Sequence, residues 1–167
     1  MTKVKTLDEI AELVKKYKKE GKTVGLVTGC FDVVHLGHLR LLKFGKESCD
    51  ILIVGLDNDD TIRINKSSGR PIHSLEKRLE FLEHLSYVDL LYSVKGTFDY
   101  STEYANGIQK TIARKISPDY LITLKSKDDY WKDKESRAIA LGIKLLLLTN
   151  EMNDSTTQIV QKIEQDL

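Results

Sequence analysis

Gly29-Cys30-Phe31-Asp32-Val33-Val34-His35-Leu36-Gly37-His38 decides how this chain is read. The stretch follows the β-branched and apolar run Val24 to Val27 and leads into Leu39, Leu41, Leu42 and Phe44. That order predicts a strand, a glycine-opened turn and a helix. His35 and His38 stand three apart, with Gly37 between them, where the helix begins. The first turn of a helix carries unpaired N–H groups and the positive end of the helix dipole, so it draws phosphate. Imidazoles placed there donate hydrogen bonds to phosphate oxygens, and either can carry positive charge near neutral pH. Gly37 lets backbone and ligand approach closely. The stretch therefore reads as a cradle for a polyphosphate. A zinc pair is the competing reading and fits poorly. His73 and His84 lie far along the chain, and Cys30 and Cys49 form no C-x-x-C pair, so further ligands are missing.

The length of 167 residues suits one domain, residues 1–167, with a leading helix within 1–22 packed on it. Lys and Arg number 26 and Asp and Glu 25, a formal net charge of +1. Nucleic-acid binding is not expected from so even a balance. Two cysteines without a framework suit a reducing compartment. Met1 to Lys22 is charged and lacks the apolar centre of a signal peptide. Apolar runs such as Ile51 to Leu56 fall well short of the roughly 20 residues a membrane helix needs. A cytoplasmic protein without membrane contact is expected.

Outward from the cradle, Thr6 to Glu20 reads as an amphipathic helix, capped by Thr6 with Glu9 three residues on and ended by Gly21. Strands are expected at Thr23–Thr28, Ile51–Leu56, Val88–Tyr92, Asp119–Leu124 and Lys144–Leu148. Between them, Asp57 to Pro71 reads as a short helical turn and then a mobile loop. Leu75, Leu79, Leu82 and Leu85 give helical spacing behind Ser74 as N-cap, and Ser101 to Lys115 is a helix. Lys127 to Leu141 is a charged helix, or a loop followed by one, and Ser155 to Glu164 closes the chain as a helix. Five such alternations predict an α/β fold, a Rossmann-like, doubly wound, five-stranded parallel sheet with helices on both faces. Ligands of such sheets bind at the carboxyl ends of the strands, where the cradle also falls.

In these residues the chain resembles the cytidylyltransferase-like nucleotidyltransferase superfamily, marked by H-x-G-H after a strand-ending G-x-F-D. Within it the likeness is nearest to the adenylyltransferases that make ADP-heptose from heptose 1-phosphate, and next to glycerol-3-phosphate cytidylyltransferase. It extends through Leu7–Lys19, Val24–Leu42, Ile53-Val54-Gly55-Leu56-Asp57-Asn58-Asp59, Gly69-Arg70-Pro71-Ile72, Arg78 and Asp154-Ser155-Thr156-Thr157. The resemblance implies transfer of a nucleotidyl group from ATP, alternatively CTP, to a sugar or polyol phosphate, with release of pyrophosphate. It also implies Mg²⁺ bound mainly through the nucleotide phosphates, without a direct protein ligand, and a homodimer.

Residue by residue, the resemblance implies that the backbone of Thr28, Gly29, Cys30 and Phe31 lines the nucleotide. His35, His38 and Lys66 act on its phosphates, with Lys43 or Lys46 assisting. Ser155, Thr156 and Thr157 cap the last helix toward the β/γ-phosphates. Asp57 and Asn58 face the substrate or the ribose, and Asp32 and Arg78 stand on the substrate side. Each has a structural alternative. Asp32 can bind turn backbone, Phe31 can simply pack, and Arg78 can pair with Glu76, Glu80 or Asp89. Lys66 and Arg70 alone would be a solvated loop, and Ser155 to Thr157 alone an ordinary N-cap.

Two stretches depart from the nearest patterns. Lys125-Ser126-Lys127-Asp128-Asp129-Tyr130-Trp131 stands where heptose enzymes carry Lys-Gly-Gly-Asp-Tyr, and its Asp-Asp-aromatic part looks like the cytidylyltransferase version. Thr149 to Asn153 lacks the arginine that glycerol-phosphate enzymes carry before Ser-Thr-Thr. Two other classes compete with the enzyme: a nucleotide-binding regulator without turnover, and a fragment like the tRNA synthetases that share H-x-G-H. The chain is short and not basic, which counts against the second.

Overall fold

The computed structural model describes residues 2–66, 69–126 and 128–149, with positions 159, 162, 163 and 165 beyond them. Of the expected last helix, Ile159, Lys162 and Ile163 are described and helical, while Ser155, Thr156 and Thr157 lie outside the described residues. The chain opens with α1 (Leu7–Lys19). Its capping box forms as the spacing predicts: Glu9 N–H donates to Thr6 Oγ1 at 3.3 Å, and Thr6 N–H donates to Glu9 Oε2 at 2.7 Å. Gly21 follows with φ +76°, a left-handed turn that spares any Cβ.

Then come β1 (Val24–Gly29), α2 (Leu36–Ser48) and β2 (Ile51–Leu56), followed by the short α3 (Asp59–Asn65) and α4 (Leu75–Glu83). β3 (Leu90–Ser93), α5 (Glu103–Ile116), β4 (Tyr120–Leu124), α6 (Trp131–Leu141) and β5 (Lys144–Leu148) complete the described elements. All strand pairs are parallel, in the order β3-β2-β1-β4-β5. The order reverses between β1 and β4, so a crevice opens there beyond the strands' carboxyl ends.

Two apolar clusters sandwich the sheet. Leu41 and Leu42 of α2 and Leu82 of α4 pack on one face with Val27, Val54 and Ile122. Ile10 and Val14 of α1, Ile112 and Ile116 of α5 and Ala138 of α6 pack on the other with Leu26, Ile53 and Leu121. The expected doubly wound sheet with helices on both faces is what forms.

The starts of β1 and β2 are held by three carboxylates. Thr23 N–H donates to Asp50 at 2.8 Å, Val24 N–H to Asp119 at 2.8 Å and Leu52 N–H to Asp89 at 2.7 Å. This explains one shift from expectation. β3 begins at Leu90 because Val88 N–H closes a turn onto Leu85 O and Asp89 spends its side chain on β2. Ser74 precedes α4 but makes no side-chain cap bond. Thr102 caps α5, accepting from Ala105 N–H at 3.2 Å, because Ser101 turns back to Asp99.

One glycine in β2 is set by packing. A Cβ on Gly55 would lie 2.4 Å from the Tyr92 ring, which is fully buried and has no open side to move into. Gly55→Ala is expected to cost about 1–3 kcal/mol through overpacking, read as a lower urea midpoint with an unchanged slope.

Candidate active site

The cleft sits at the ends of β1, β2 and β4. Thr28 and Gly29 from β1, Asp57 just past β2 and Thr123 and Leu124 from β4 line it. The head of α2 forms one wall. His35 is the N-cap of that helix, and its Nδ1 accepts from Gly37 N–H at 3.1 Å. An accepting Nδ1 is unprotonated, so the neutral ring carries its proton on Nε2. His38 stacks against His35 and Phe31, with ring centroids 4.1 and 4.9 Å away. Its Nδ1 is buried and has no partner among the described residues. Burial, and then the neighbouring His35, push the His38 imidazole down to about 3, against a backbone hydrogen bond with Val33. The expectation that either histidine is charged near neutral pH is therefore corrected for His38. It is a neutral ring because its surroundings withhold water from the cation.

The G-C-F-D turn is built from behind. Phe31 takes φ +49°, a left-handed conformation that a side chain tolerates only when packing enforces it, and its ring is buried. Arg78 enforces the turn from α4. Its guanidinium donates to Cys30 O at 2.5 Å, Asp57 O at 2.8 Å, His73 O at 3.1 Å and Asp59 Oδ1 at 2.7 Å. It thus ties the ends of β1 and β2 to the start of α4, and it does not line the cleft. Neither its expected substrate role nor pairing with Glu76, Glu80 or Asp89 matches these contacts. Asp89 lies at the opposite end of the sheet.

Asp32 is likewise structural in its contacts. Its carboxylate accepts from Arg70 Nε, from Ile72 N–H at 3.0 Å and from His73 N–H at 2.9 Å. Burial works to raise its pKa, but the two backbone donors and Arg70 outweigh that and hold it below the ordinary value. The loop expected to be mobile is therefore pinned at residues 70–73. Asn58 caps α3, accepting from Thr61 N–H at 2.8 Å, and its Nδ2 donates to Gly96 O at 2.6 Å. Asp32 and Asn58 stay off the cleft wall because these bonds draw them behind it.

Asp57 does reach the cleft. It is buried, and burial raises its pKa against the hydrogen bond that Tyr100 Oη donates to Oδ2 at 2.6 Å and against the charges of Lys134, Arg78 and Lys66. Lys66, at the end of α3, lines the same space. Lys43 and Lys46 do not. Lys46 donates to Asp89 at 2.7 Å, because a helix of 13 residues carries it to the far end of the sheet.

The opposite wall comes from α5, α6 and the loop after β4. Asn106, Gln109, Asp128, Tyr130, Lys134 and Arg137 line it. Asp128 and Lys134 pair at 2.7 Å, and Thr123 Oγ1 donates to the same carboxylate. Burial opposes ionisation of Asp128, but Lys134 and Thr123 prevail and lower its pKa. Among the described residues no three His, Cys, Asp or Glu side chains gather into a metal cluster. Nor is any described helix long and apolar enough to cross a membrane.

A family model described as cytidylyltransferase-like matches residues 26–162. The chain belongs to the cytidylyltransferase-like family. The bifunctional protein HldE of Sulfurimonas denitrificans is 34% identical over 164 residues, covering 98% of this chain and 31% of that protein. HldE of Wolinella succinogenes is 32% identical, covering 94% of this chain and 30% of its own length. The chain thus spans about a third of the curated relatives it matches. The lipopolysaccharide core biosynthesis protein of Thermoplasma volcanium superposes with a TM-score of 0.56 at 26% identity, over 79% of this chain and all of that one. Pantoate-beta-alanine ligase of Francisella tularensis, at 15% identity and a TM-score of 0.63 over 99% of this chain and 78% of its own, shares the fold.

For this family member the expected Thr28, Gly29, Cys30, Phe31, His38, Asp57 and Lys66 share the cleft, and His35 stands beside His38. The α5 and α6 wall was not foreseen. Its one signal in sequence is polar residues on apolar stripes: Asn106 beside buried Ala105, and Arg137 beside buried Ala138.

The two sets of contacts yield two expectations. Arg78→Met strips donors from buried carbonyls and from Asp59, and should cost about 3–5 kcal/mol in denaturant unfolding. His38 gives a pH dependence. The unfolded ring takes up a proton as pH falls through its ordinary 6.5, whereas the folded ring does not until about 3. Its contribution is thus present above 6.5 and lost as pH falls toward 3, at up to about 1.4 kcal/mol per pH unit. His38→Asn should flatten the stability profile in that window relative to the parent protein.

Proposed function

We propose that this chain is a single nucleotidyltransferase domain that moves AMP from ATP to a sugar phosphate of the heptose 1-phosphate type and releases pyrophosphate. The observation that carries the reading is His38 at the head of α2, whose buried Nδ1 has no hydrogen-bond partner among the described residues and whose ring lines a cleft that also holds Lys66. The likeness to HldE proteins and to a protein named for lipopolysaccharide core biosynthesis supports a sugar acceptor.

In the proposed reaction an oxygen of the acceptor phosphate forms a bond to the α-phosphorus of ATP. The bond from that phosphorus to the β-bridging oxygen breaks, and pyrophosphate leaves with the electron pair. A phosphate dianion needs no base to attack, so the protein's task is to align two anions and offset the charge that develops between them. His35 and His38 donate as neutral rings, Lys66 supplies charge, and the N–H groups opening α2 complete the cradle. Asp57 accepts from substrate hydroxyls beside Tyr100.

Mg²⁺ suits the cleft when it arrives on the nucleotide. Asp128 is paired with Lys134 and Asp57 with Tyr100, while Asp129 and Asp133 also line the cleft, so an ion arriving with the phosphates and its waters would have these carboxylates beside it. When bound, it offsets phosphate charge. CTP with glycerol 3-phosphate or another polyol phosphate is the second reading, favoured by Asp128-Asp129-Tyr130.

Pyrophosphate release with Mg²⁺, crossing ATP and CTP against sugar and polyol phosphates, tests both readings. Release with ATP and heptose 1-phosphate is the expected result. Release with CTP and a polyol phosphate would move the assignment to the second reading. Nucleotide binding without release from any pair would leave a regulatory binding protein. His38→Ala should stay folded and lose about 10²–10³ in turnover, as when one oxyanion donor is removed.

A further inference from the structure

Arg137 is a buried cation that the reaction above does not use. It is 8% exposed, on the inner face of α6, and it lines the cleft. Its Nε and Nη2 both donate to one oxygen, Asn106 Oδ1 of α5, at 3.1 and 3.0 Å. Among the described residues it forms no ion pair, although Asp133 and Asp128 act on it from farther away. Two other buried guanidiniums show what is missing. Arg70 is paired with Asp32, and Arg78 with Asp59 and three carbonyls. A buried charge is ordinarily matched by an opposite one. Here an amide orients the guanidinium and no described carboxylate pairs with it at contact distance, although Asp128 and Asp133 line the same cleft. A planar fork of this kind suits a phosphoryl group.

Its position says which phosphate. The head of α2, with His38, belongs to the helix layer on one face of the sheet, and α5 and α6 belong to the layer on the other. The cleft joins them across the ends of β1 and β4. The nucleotide's phosphates are claimed by the α2 side, so the α6 side is left for the second substrate.

We infer that Arg137, oriented by Asn106, is the subsite for the phosphate of the acceptor rather than for those of the nucleotide. The inference rests on the nucleotidyl-transfer reading and adds the residue that selects a phosphorylated acceptor. Arg137 binds the acceptor. Asn106 is a positioning residue that acts through it.

Asn106→Asp is the decisive variant. It keeps both hydrogen bonds, puts a carboxylate on the guanidinium and so cancels the charge. A purely structural Arg137 would be held as well or better. An acceptor subsite would be closed. The first measurement is calorimetric binding of inorganic phosphate to the full chain saturated with a non-hydrolysable ATP analogue and Mg²⁺. The parent protein should bind phosphate, with affinity falling at least about tenfold in Asn106→Asp and in Arg137→Gln, as for loss of a charge-assisted pair. The ATP analogue should bind all three proteins within about twofold. Steady-state pyrophosphate release should then show a raised acceptor KM with an unchanged KM for ATP, partly restored in Arg137→Lys.

Should Arg137→Gln fail to fold, Asn106→Asp alone carries the test. Phosphate binding that is absent from the parent, or untouched by Asn106→Asp, overturns the subsite. So does a matching loss of ATP-analogue affinity, which would place Arg137 on the nucleotide. Phosphate binding that vanishes in Asn106→Asp while no acceptor supports pyrophosphate release would keep the subsite and remove the proposed reaction. Pyrophosphate release with an acceptor KM unchanged in Asn106→Asp would do the reverse.

Discussion

The Arg78 guanidinium is the tie on which the site depends. A buried arginine is tolerated only if its donors are met. Here they are met by the carbonyls of Cys30, Asp57 and His73 and by the Asp59 carboxylate. Those acceptors belong to the chain just beyond β1 and β2 and to the entry of α4. One side chain therefore fixes where two strands deliver their final residues, and the left-handed turn at Phe31 is held against its own preference. Asp32 extends the same logic by pinning Arg70, Ile72 and His73. Charged residues that look like ligands in sequence serve as the scaffold behind the ligand surface.

The sheet is polarised by this arrangement. At the strand starts Asp50, Asp89 and Asp119 satisfy backbone N–H groups, and Lys46 closes against Asp89. That end is finished. At the other end the polar groups are turned toward a cleft. His38 Nδ1 has no described partner, Arg137 has only an amide, and Asp57 is held by Tyr100 within a buried setting. Groups withheld from water and only partly satisfied are ready to exchange their few contacts for those of a ligand without much reorganisation.

Legibility in the sequence tracked the range of the forces involved. The capping box of α1 is a three-residue affair and was readable from Thr6 and Glu9. The strand β2 was readable to both ends, because Ile51 to Leu56 is buried on both faces and shows as an unbroken apolar run. β3 slipped by two residues because Asp89 answers to β2, which local pattern does not record. Gly29 and His38 line the cleft because a turn and a helix start place them locally, whereas Lys66, at the end of α3, was expected there only from the family resemblance. Asp32, Asn58 and Arg78 were expected near substrate or had structural alternatives, and local pattern could not choose, because their contacts reach backbone 38 to 48 residues away.

The sequence by itself determined the alternation of strands and helices, the glycine-opened turn and its position at a strand end, since these follow from periodicity and capping among near neighbours. Only the tertiary structure decided which charges are free to meet a ligand. That choice depends on burial and on partners from other elements: Asp59 and two strand-end carbonyls for Arg78, Asn106 for Arg137, and the Phe31 and His35 rings that leave His38 neutral. Desolvation and long-range pairing are properties of the packed molecule, and no stretch of ten residues contains them.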